Sequence, residues 1–250
     1  MSTLTPAPRS LPASVAGRRL VPEVMDDPAL DPQRHADALR GLGRINRLSR
    51  SADLLWPALR DAAKRQPDRP LRVLDLACGG GDVTIALARR AEKRCGKLGL
   101  PGMRFTGLDI SPTALGFAHQ AAEEAGVRVD FQPLDVLSDP LPGDADVAMN
   151  SLFLHHLTAD QAVDVLRKMR SAAATVLVND LTRGAVAHAV TVLGTRLLTR
   201  SDVVHTDGPR SVRAAWTPGE LRALADEAGL AGAEVARRFP WRMLLRWSAA

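Results

Sequence analysis

From residue 71 onward, short apolar runs alternate with longer stretches in which apolar residues recur every three or four positions. A short apolar run is typical of a buried strand, and the longer spacing is typical of an amphipathic helix. Strands that alternate with helices pair in parallel, because each helix carries the chain back across one face of the sheet. The pattern therefore predicts an α/β fold. The predicted strands are Arg72–Leu76, Met103–Asp109, Val127–Phe131, Asp146–Asn150 and Thr175–Asp180.

Both ends of the chain carry elements outside this alternation. Helical spacing over His35–Asn46 and Ala52–Lys64 predicts two helices before the first strand, which would form an N-terminal lid. Ala233–Phe239 and Arg242–Trp247 flank a Pro-Trp turn and predict a C-terminal antiparallel hairpin. With the hairpin included, we expect a Rossmann-like, seven-stranded, mostly parallel sheet.

The chain divides into three expected segments. Residues 1–20 are rich in Pro, Ser, Ala and Arg without periodicity, which is typical of a disordered leader. Residues 21–70 form the helical cap, and residues 71–250 form the main domain. Within that domain, residues 184–213 read as an insertion after the fifth strand.

The insertion is expected to shape a substrate pocket, because loops at this edge of an α/β sheet usually do so. It begins with an apolar helix, Ala185–Leu198, and continues into a polar segment expected to be a loop with His205 and Asp207. The helix would cover an apolar substrate. Arg183, Trp216, His205 and Asp207 would supply polar or aromatic edges.

Composition narrows the class of protein. The chain has 250 residues, 46% of them hydrophobic, so one large domain can bury a core. Two cysteines and no apolar run long enough for a membrane span favour a cytoplasmic protein without a membrane partner. The net charge of +5 is scattered among acids, and the chain has no Tyr and five Phe, so no nucleic-acid partner is expected. A monomer or homodimer is expected.

Val73–Asp82 reads as a buried strand, a glycine turn and a helix start in succession, which is the geometry of a nucleotide-type cofactor site. The dinucleotide fingerprint fails here, because Thr84 stands at the third glycine and Asp82 would repel a pyrophosphate. Asp75, at the strand end, can accept hydrogen bonds from an ammonium group. The turn therefore favours a zwitterionic, adenosine-bearing ligand.

The order of motifs from Leu71 to the C-terminus resembles the class I S-adenosylmethionine-dependent methyltransferases. The stretch from Asp75 to Gly81 resembles the family's turn of an acid and three alternating glycines, with Ala77 at the first glycine, where alanine is tolerable if φ is negative. The resemblance implies S-adenosylmethionine as cofactor, held at Asp75, Ala77, Gly79 and Gly81. It also implies that Asp109 binds both ribose hydroxyls.

Further cofactor contacts follow from the same resemblance. Asp135 and Val136 match the pair that meets the adenine amino edge, and Ile110 would be an apolar shelf for the ring. The alternatives are a helix cap for Asp135 and a core position for Ile110. Asn150, which ends the fourth strand, is also expected at the cofactor. The segment Ile45–Trp56 resembles one in the quinone-biosynthesis carbon methyltransferases. It implies contacts from Arg44 and Asn46 on a lid helix, with helix-surface positions as the alternative.

The segment Asn150–Leu157 bears on the methyl acceptor. It lacks the Asn/Asp-Pro-Pro-aromatic motif of enzymes that methylate exocyclic amines of bases, and its His-His-Leu ending resembles small-molecule methyltransferases. The resemblance implies O- or C-methylation of a small, partly apolar phenol, quinone or polyketide-like molecule. A nucleic-acid methyltransferase and a non-catalytic cofactor-binding protein are the alternatives.

An acceptor must lose a proton, and a histidine titrates in the range that this step needs. The candidates for this base are His155 and His156 after the fourth strand and His205 in the insertion, with Asp207 as a possible orienter. A structural role is the alternative for each. Asn150, Asn179 and Asp180 could ligate Mg²⁺ in principle, but one carboxylate with two amides is a poor divalent site, so no metal is predicted.

Overall fold

The computed structural model describes residues 17–27 and 29–249. The strands are β1 Leu71–Leu76, β2 Met103–Asp109, β3 Asp130–Pro133, β4 Ala145–Ser151, β5 Ala173–Leu181, β6 Glu234–Arg238 and β7 Arg242–Ser248. The α-helices are α1 Pro32–Leu48, α2 Ser51–Arg65, α3 Asp82–Arg94, α4 Pro112–Ala125, α5 Ala159–Ala172, α6 Ala185–Leu198, α7 Asp202–Ala214 and α8 Pro218–Glu227.

The seven strands form one sheet in the order β3-β2-β1-β4-β5-β7-β6. Strands β1 to β5 run parallel, and β7 pairs antiparallel with both β5 and β6. The predicted sheet with its C-terminal hairpin is confirmed. Strand order reverses between β1 and β4, and ligands of open α/β sheets bind beyond the carboxyl ends of the strands at such a point.

Local sequence signals fix the helix ends. Thr158 and Thr217 each begin a helix with a complete capping box, in which Gln161 and Glu220 return the hydrogen bond. Gly126 ends α4 with φ 66°, a conformation that glycine adopts without steric cost. These helix boundaries, predicted from the sequence, are confirmed.

Two hydrophobic clusters cover the two faces of the sheet. On one face, Leu76, Val178 and Met243 pack with residues of α5 and α8. On the other, Val73 and Leu244 pack with residues of α2, α3 and α4. Helix α1 lies further out, against α3, α4 and α7. Helix α2 thus packs on the second face of the sheet and reaches the start of β5, where Arg65 donates to Thr175, and α1 lies outside it.

The loop predicted after α6 is wrong, because Asp202–Ala214 is helix α7. The Gly208-Pro209 pair favours a break, but Ser201 caps the helix by accepting a hydrogen bond from Val204 N. Gly208 also lies so close to α6 that a Cβ there would be 2.9 Å from Thr195. Packing therefore overrides the local signal.

The third strand is also displaced from its predicted position. It begins at Asp130, opposite Thr106 of β2, whereas the prediction began it at Val127. Val127 instead follows the Gly126 cap, and its N–H donates to Ala122 O in the last turn of α4. Val127 therefore belongs to the end of α4, and the strand begins three residues later, at Asp130.

Part of the predicted leader contacts the folded chain. Residues 1–16 lie outside the described residues. The Arg18 guanidinium lies 3.6 Å from the centre of the Trp216 ring and donates to His155 O at 2.6 Å, and Arg19 N donates to Arg213 O at 3.1 Å. Within residues 17–27 and 29–249, no helix is both long enough and apolar enough to cross a membrane.

Candidate active site

The glycine turn after β1 contains three residues with positive φ. These are Ala77 at 52°, Gly79 at 54° and Gly81 at 70°. The expectation that Ala77 keeps a negative φ is wrong. Its neighbour Cys78 donates to Leu108 O at 2.9 Å, which ties the turn to the end of β2. A Cβ at Gly81 would lie 2.7 Å from Phe131, whereas Gly79 has open space at that position.

Asp109 is oriented by two backbone donors. Its Oδ2 accepts from Gly79 N at 2.7 Å, and its Oδ1 accepts from Ser111 N at 2.9 Å. Burial raises the pKa of this carboxyl, although both hydrogen bonds oppose the shift. Each carboxylate oxygen has a second lone pair, so Asp109 can still accept from two ligand hydroxyls.

Asp75 carries an unused acceptor beside the same turn. Its Oδ2 accepts from the Thr84 hydroxyl, while its Oδ1 is buried and has no partner among the described residues. Burial raises the pKa of Asp75 to about 7, and the Thr84 hydrogen bond opposes this. A buried acceptor without a donor is costly. A ligand ammonium group would satisfy it.

The residues predicted at the adenine differ in their exposure. Ile110 is 67% exposed directly after β2, so its side chain is available as an apolar shelf. The side chain of Asp135 accepts from Leu137 N at 2.9 Å and from the Ser138 hydroxyl, which closes a turn over residues 136–138; no helix begins there, so it is not the helix cap given as its alternative. Val136 is buried in the core. Contact of Asp135 and Val136 with adenine stays a prediction.

Helix α1 lies over the turn. A Cβ at Gly80 would be 3.2 Å from Leu39 of this helix. Asn46 is buried and hydrogen bonds to Asp82, the first residue of α3, which opposes the rise that burial causes in the Asp82 pKa. Arg44 is exposed and donates to Leu198 O at 3.1 Å. Of the two predicted lid contacts, Asn46 therefore lies at the turn, and Arg44 lies toward α6.

Two histidines and three carboxyl groups meet beyond β4 and β5. His155 Nδ1 lies 2.7 Å from Asp180 Oδ1, and His156 Nδ1 lies 3.1 Å from Asp26 Oδ2. Both Nε2 atoms face Glu23, each 3.9 Å from one of its oxygens. A cavity of about 350 Å³ opens at this cluster. It is lined by Leu20, Val21, Pro22, Glu23, Asp26, His155, His156 and Ala214.

Two groups of this cluster, His156 and Glu23, have raised pKa values. Burial alone would lower the pKa of His156, but its hydrogen bond to Asp26 and the Glu23 charge raise it to about 9. Burial raises the pKa of Glu23 against the two histidine charges. The pKa of Asp180 is lowered, because the His155 charge and hydrogen bond outweigh burial. His156 is therefore an imidazolium at neutral pH.

Sequence reasoning missed Glu23 and Asp26. They lie about 130 residues before His156, on an N-terminal segment that Asp207 fixes by accepting from Val24 N and Met25 N, each at 2.9 Å. The available signal was a group of three acids, Glu23, Asp26 and Asp27, in an otherwise apolar stretch. No spacing rule connects them with the histidines.

Other predicted residues lie outside the cavity lining. His205 Nε2 is 2.9 Å from Thr199 O, and the Asp207 carboxylate serves the N-terminal segment, so the structure does not pair them. Arg183 forms an ion pair with Glu220 at 2.6 Å. Trp216 is fully buried, and its indole N–H donates at 2.8 Å to the carbonyl of Leu154, the residue before His155.

The strand-end polar groups do not converge on one point. Asn150 Nδ2 contacts Met169 Sδ of α5, Asn179 Nδ2 donates to Ser151 Oγ, and Asp180 serves His155. Glu23, His155 and His156 are close enough to hold a metal ion, with their ligand atoms within 4.8 Å of one another. A metal would have to displace the proton on His156, since only neutral imidazole is a ligand.

Similarity to known proteins agrees with this geometry. The sequence pattern of a family described as "Methyltransferase domain" matches residues 73–175. The chain is 30% identical over 198 residues to the ubiquinone biosynthesis O-methyltransferase of Methylobacterium sp. (strain 4-46), across 76% of this chain and 72% of that protein. The chain belongs to the class I S-adenosylmethionine-dependent methyltransferases.

Two further matches describe this methyltransferase. It is 36% identical over 110 residues to the demethylmenaquinone methyltransferase of Thermus thermophilus. The matched region covers 44% of this chain and 46% of the Thermus protein, which is less than half of each. The apo structure of the methyltransferase SibL is similar with a TM-score of 0.63 and 21% identity, over 94% of this chain and 64% of that one. The second likeness concerns the fold alone.

The residues at the turn fit the family's cofactor. S-adenosylmethionine carries an ammonium group that could donate to the buried Asp75 Oδ1, and ribose hydroxyls that could donate to the oriented carboxylate of Asp109. It has no phosphate, which agrees with acidic residues at the turn. The enzyme therefore uses S-adenosylmethionine as its cofactor and transfers its methyl group.

Proposed function

We propose that this methyltransferase acts on a small, partly apolar molecule with an acidic hydroxyl or carbon, such as a phenol, a quinol or a polyketide. The observation that carries the proposal is the cavity of about 350 Å³, which is lined by the apolar Leu20, Val21 and Pro22 and by His155. That volume lies at the low end of ligand pockets and suits a ring compound. Relatives named for ubiquinone and menaquinone biosynthesis support the class.

The cofactor supplies a methyl group that its sulfonium already activates, so the protein's task is orientation. Asp109 would fix the ribose, and Asp75 would fix the amino group. Ile110 would support the adenine ring. These contacts would hold the methyl group beyond β1 and β4, at the sheet edge where β4 leads into His155.

His155 acts as the base in this proposal. Its Nδ1–H donates to Asp180, which leaves the Nε2 lone pair free to accept a proton from the acceptor. Asp180 has no exposed surface, so the dyad is held in one orientation. The adjacent His156 imidazolium, whose ring centre is 4.3 Å from that of His155, would stabilise a phenolate as it forms.

The experiment uses the purified enzyme with catechols and demethylated quinols whose apolar tails differ in length, and tRNA as a polymeric acceptor. We expect product masses one methyl heavier for the small acceptors, and a fall in kcat of roughly 100-fold or more for His155→Gln. Asp180→Asn should show the same direction of change. S-adenosylhomocysteine affinity should not change in either variant.

The control is His205→Gln, because His205 lies outside the cavity lining. It should keep the wild-type kcat. If His155→Gln retains wild-type turnover on every small acceptor, His155 is not the base. If tRNA alone is methylated, the acceptor class is wrong.

A nucleic-acid acceptor finds little support. Several basic side chains that could meet phosphates are already paired with acids, among them Arg69 with Asp146 and Arg72 with Asp144. The relatives named above are not nucleic-acid enzymes by name.

A further inference from the structure

Arg242, the first residue of β7, is a buried cation with an unused donor. The residue is only 3% exposed. Its Nη2 donates to Asn46 Oδ1 at 3.1 Å and to Ser49 Oγ at 2.8 Å, both at the end of α1. Its Nη1 is buried and has no hydrogen-bond partner in the part of the chain that the structure describes.

No carboxylate of the described residues forms an ion pair with this guanidinium. Asp180 and Asp82 are near enough to raise the pKa of Arg242, but burial outweighs them and lowers it to about 10, so the group stays charged at neutral pH. A buried charge is costly unless an opposite charge and hydrogen bonds accompany it. An anion is therefore the missing partner.

Arg242 faces the same side of the sheet as Asp75. Residues two apart in a strand lie on the same face of the sheet. Arg242 therefore lies on the face of Leu244, and Asp75 lies on the face of Val73. Leu244 and Val73 belong to one hydrophobic cluster. Both polar residues lie near the carboxyl edge, since Arg242 pairs with Leu181 at the end of β5.

The guanidinium also reaches toward the glycine turn. Asn46 contacts Arg242 on one side and hydrogen bonds to Asp82 on the other, and Asp82 directly follows Gly81. Two orphaned groups of opposite character, Asp75 Oδ1 and Arg242 Nη1, are thus buried at one edge and on one face. An amino-acid zwitterion complements them, with its ammonium at Asp75 and its carboxylate at Arg242.

We propose that Arg242 binds the carboxylate of the methionine part of S-adenosylmethionine, and that Asn46 and Ser49 hold the guanidinium in place. The inference rests on the family's cofactor and not on the proposed acceptor, so the two can fail separately. It assigns a cofactor contact to a residue of the C-terminal hairpin, which lies about 160 positions after the glycine turn in the chain.

Calorimetric titration tests the contact without turnover. Wild type and Arg242→Gln are titrated with S-adenosylhomocysteine and with its decarboxylated analogue, which keeps the amine, the thioether and the nucleoside. We expect Arg242→Gln to weaken S-adenosylhomocysteine binding roughly 30-fold or more. Removing the carboxylate should cost wild type a similar factor, and the variant should bind both ligands equally. Arg242→Lys should recover part of the loss.

The matched control is Arg246→Gln on the same strand, whose guanidinium lies 3.8 Å from Asp61 at the surface. It should leave both affinities unchanged. Equal weakening of both ligands by Arg242→Gln would assign Arg242 a structural role and overturn the proposal. If the variant does not fold, the wild-type comparison still decides, because equal wild-type affinities for the two ligands would also overturn it.

Discussion

Ala77 is held at φ 52° in the glycine turn, where its Cβ crowds the backbone. The left-handed conformation costs a non-glycine residue about 1–2 kcal/mol. We expect Ala77→Gly to raise the free energy of unfolding by about 1 kcal/mol, after the greater freedom of glycine in the unfolded chain is subtracted. Chemical denaturation of both proteins without ligand measures the difference.

The control for this variant is Ala189→Gly in α6, an exposed helical position with ordinary backbone angles. It should lower the free energy of unfolding by about 1 kcal/mol. Equal losses in both variants would show that the turn does not strain Ala77.

His156 makes stability depend on pH. Its pKa of about 9 in the folded protein lies above the usual 6.5, so its stabilising effect is complete below pH 6.5 and is lost as pH rises through 9. This shift in the His156 pKa corresponds to a contribution of about 3 kcal/mol to the free energy of unfolding below pH 6.5. We expect the free energy of unfolding to fall between pH 6.5 and 9.5 by up to that amount relative to His156→Gln. Urea titrations across this range test it.

Glu23, Asp26, Asp180 and His155 face the same ring, and they remain in the variant. The difference between the two pH profiles therefore measures His156 together with the carboxyl groups Glu23 and Asp26, whose pKa values its charge lowers. Parallel profiles for wild type and His156→Gln would mean that the imidazolium is not stabilised in the folded state.

At the scale of elements, helix α1 fits against its neighbours through a glycine. A Cβ at Gly41 would lie 2.6 Å from Thr199 Oγ1 and 3.1 Å from Thr199 Cβ, whereas at Gly43 the nearest atom would be 3.6 Å away. We expect Gly41→Ala to lower the free energy of unfolding by about 1–2 kcal/mol through overpacking. Gly43→Ala should raise it by up to about 1 kcal/mol through helix propensity.

Thermal unfolding of the two variants, side by side, measures these opposite effects in one helix. Because α1 covers the glycine turn, Gly41→Ala should also weaken S-adenosylhomocysteine binding. Stabilisation by both substitutions would show that α1 is not packed closely against the segment before α7.

Sequence predicts elements best where the signal is local. The capping boxes at Thr158 and Thr217 and the glycine cap at Gly126 are complete within one helical turn, and all three are confirmed. Helix α7 was missed because its stability comes from contacts with α6 and with the N-terminal segment, which override Gly208 and Pro209.

At the scale of the whole molecule, alternation along β5 separates the two halves of the site. Asn179 points to the face that carries Asp75 and Arg242, where it donates to Ser151. Asp180 points to the other face, where it holds His155. In the proposed site, the cofactor therefore lies on one face of this edge, and His155 is held from the other face.

The positions of Asp75, Asp109, His155 and His156 at the strand ends could be predicted from sequence, and those of Glu23 and Arg242 could not. Asp75 and Asp109 end consecutive strands beside a glycine turn, so their positions follow from the motif. Glu23 and Arg242 reach the site from opposite ends of the chain. Only the folded structure shows that the N-terminal segment and the C-terminal hairpin meet the same edge.

The most direct test of the account is transfer of labelled methyl from S-adenosylmethionine into fractionated bacterial extract, with small lipid-soluble metabolites and total RNA separated afterwards. Asp109→Ala, which removes the carboxylate proposed to bind the ribose, serves as the control. The account predicts label in a phenolic or quinol fraction with wild type and little with the control. Label that appears in RNA, and not in the small molecules, would contradict it.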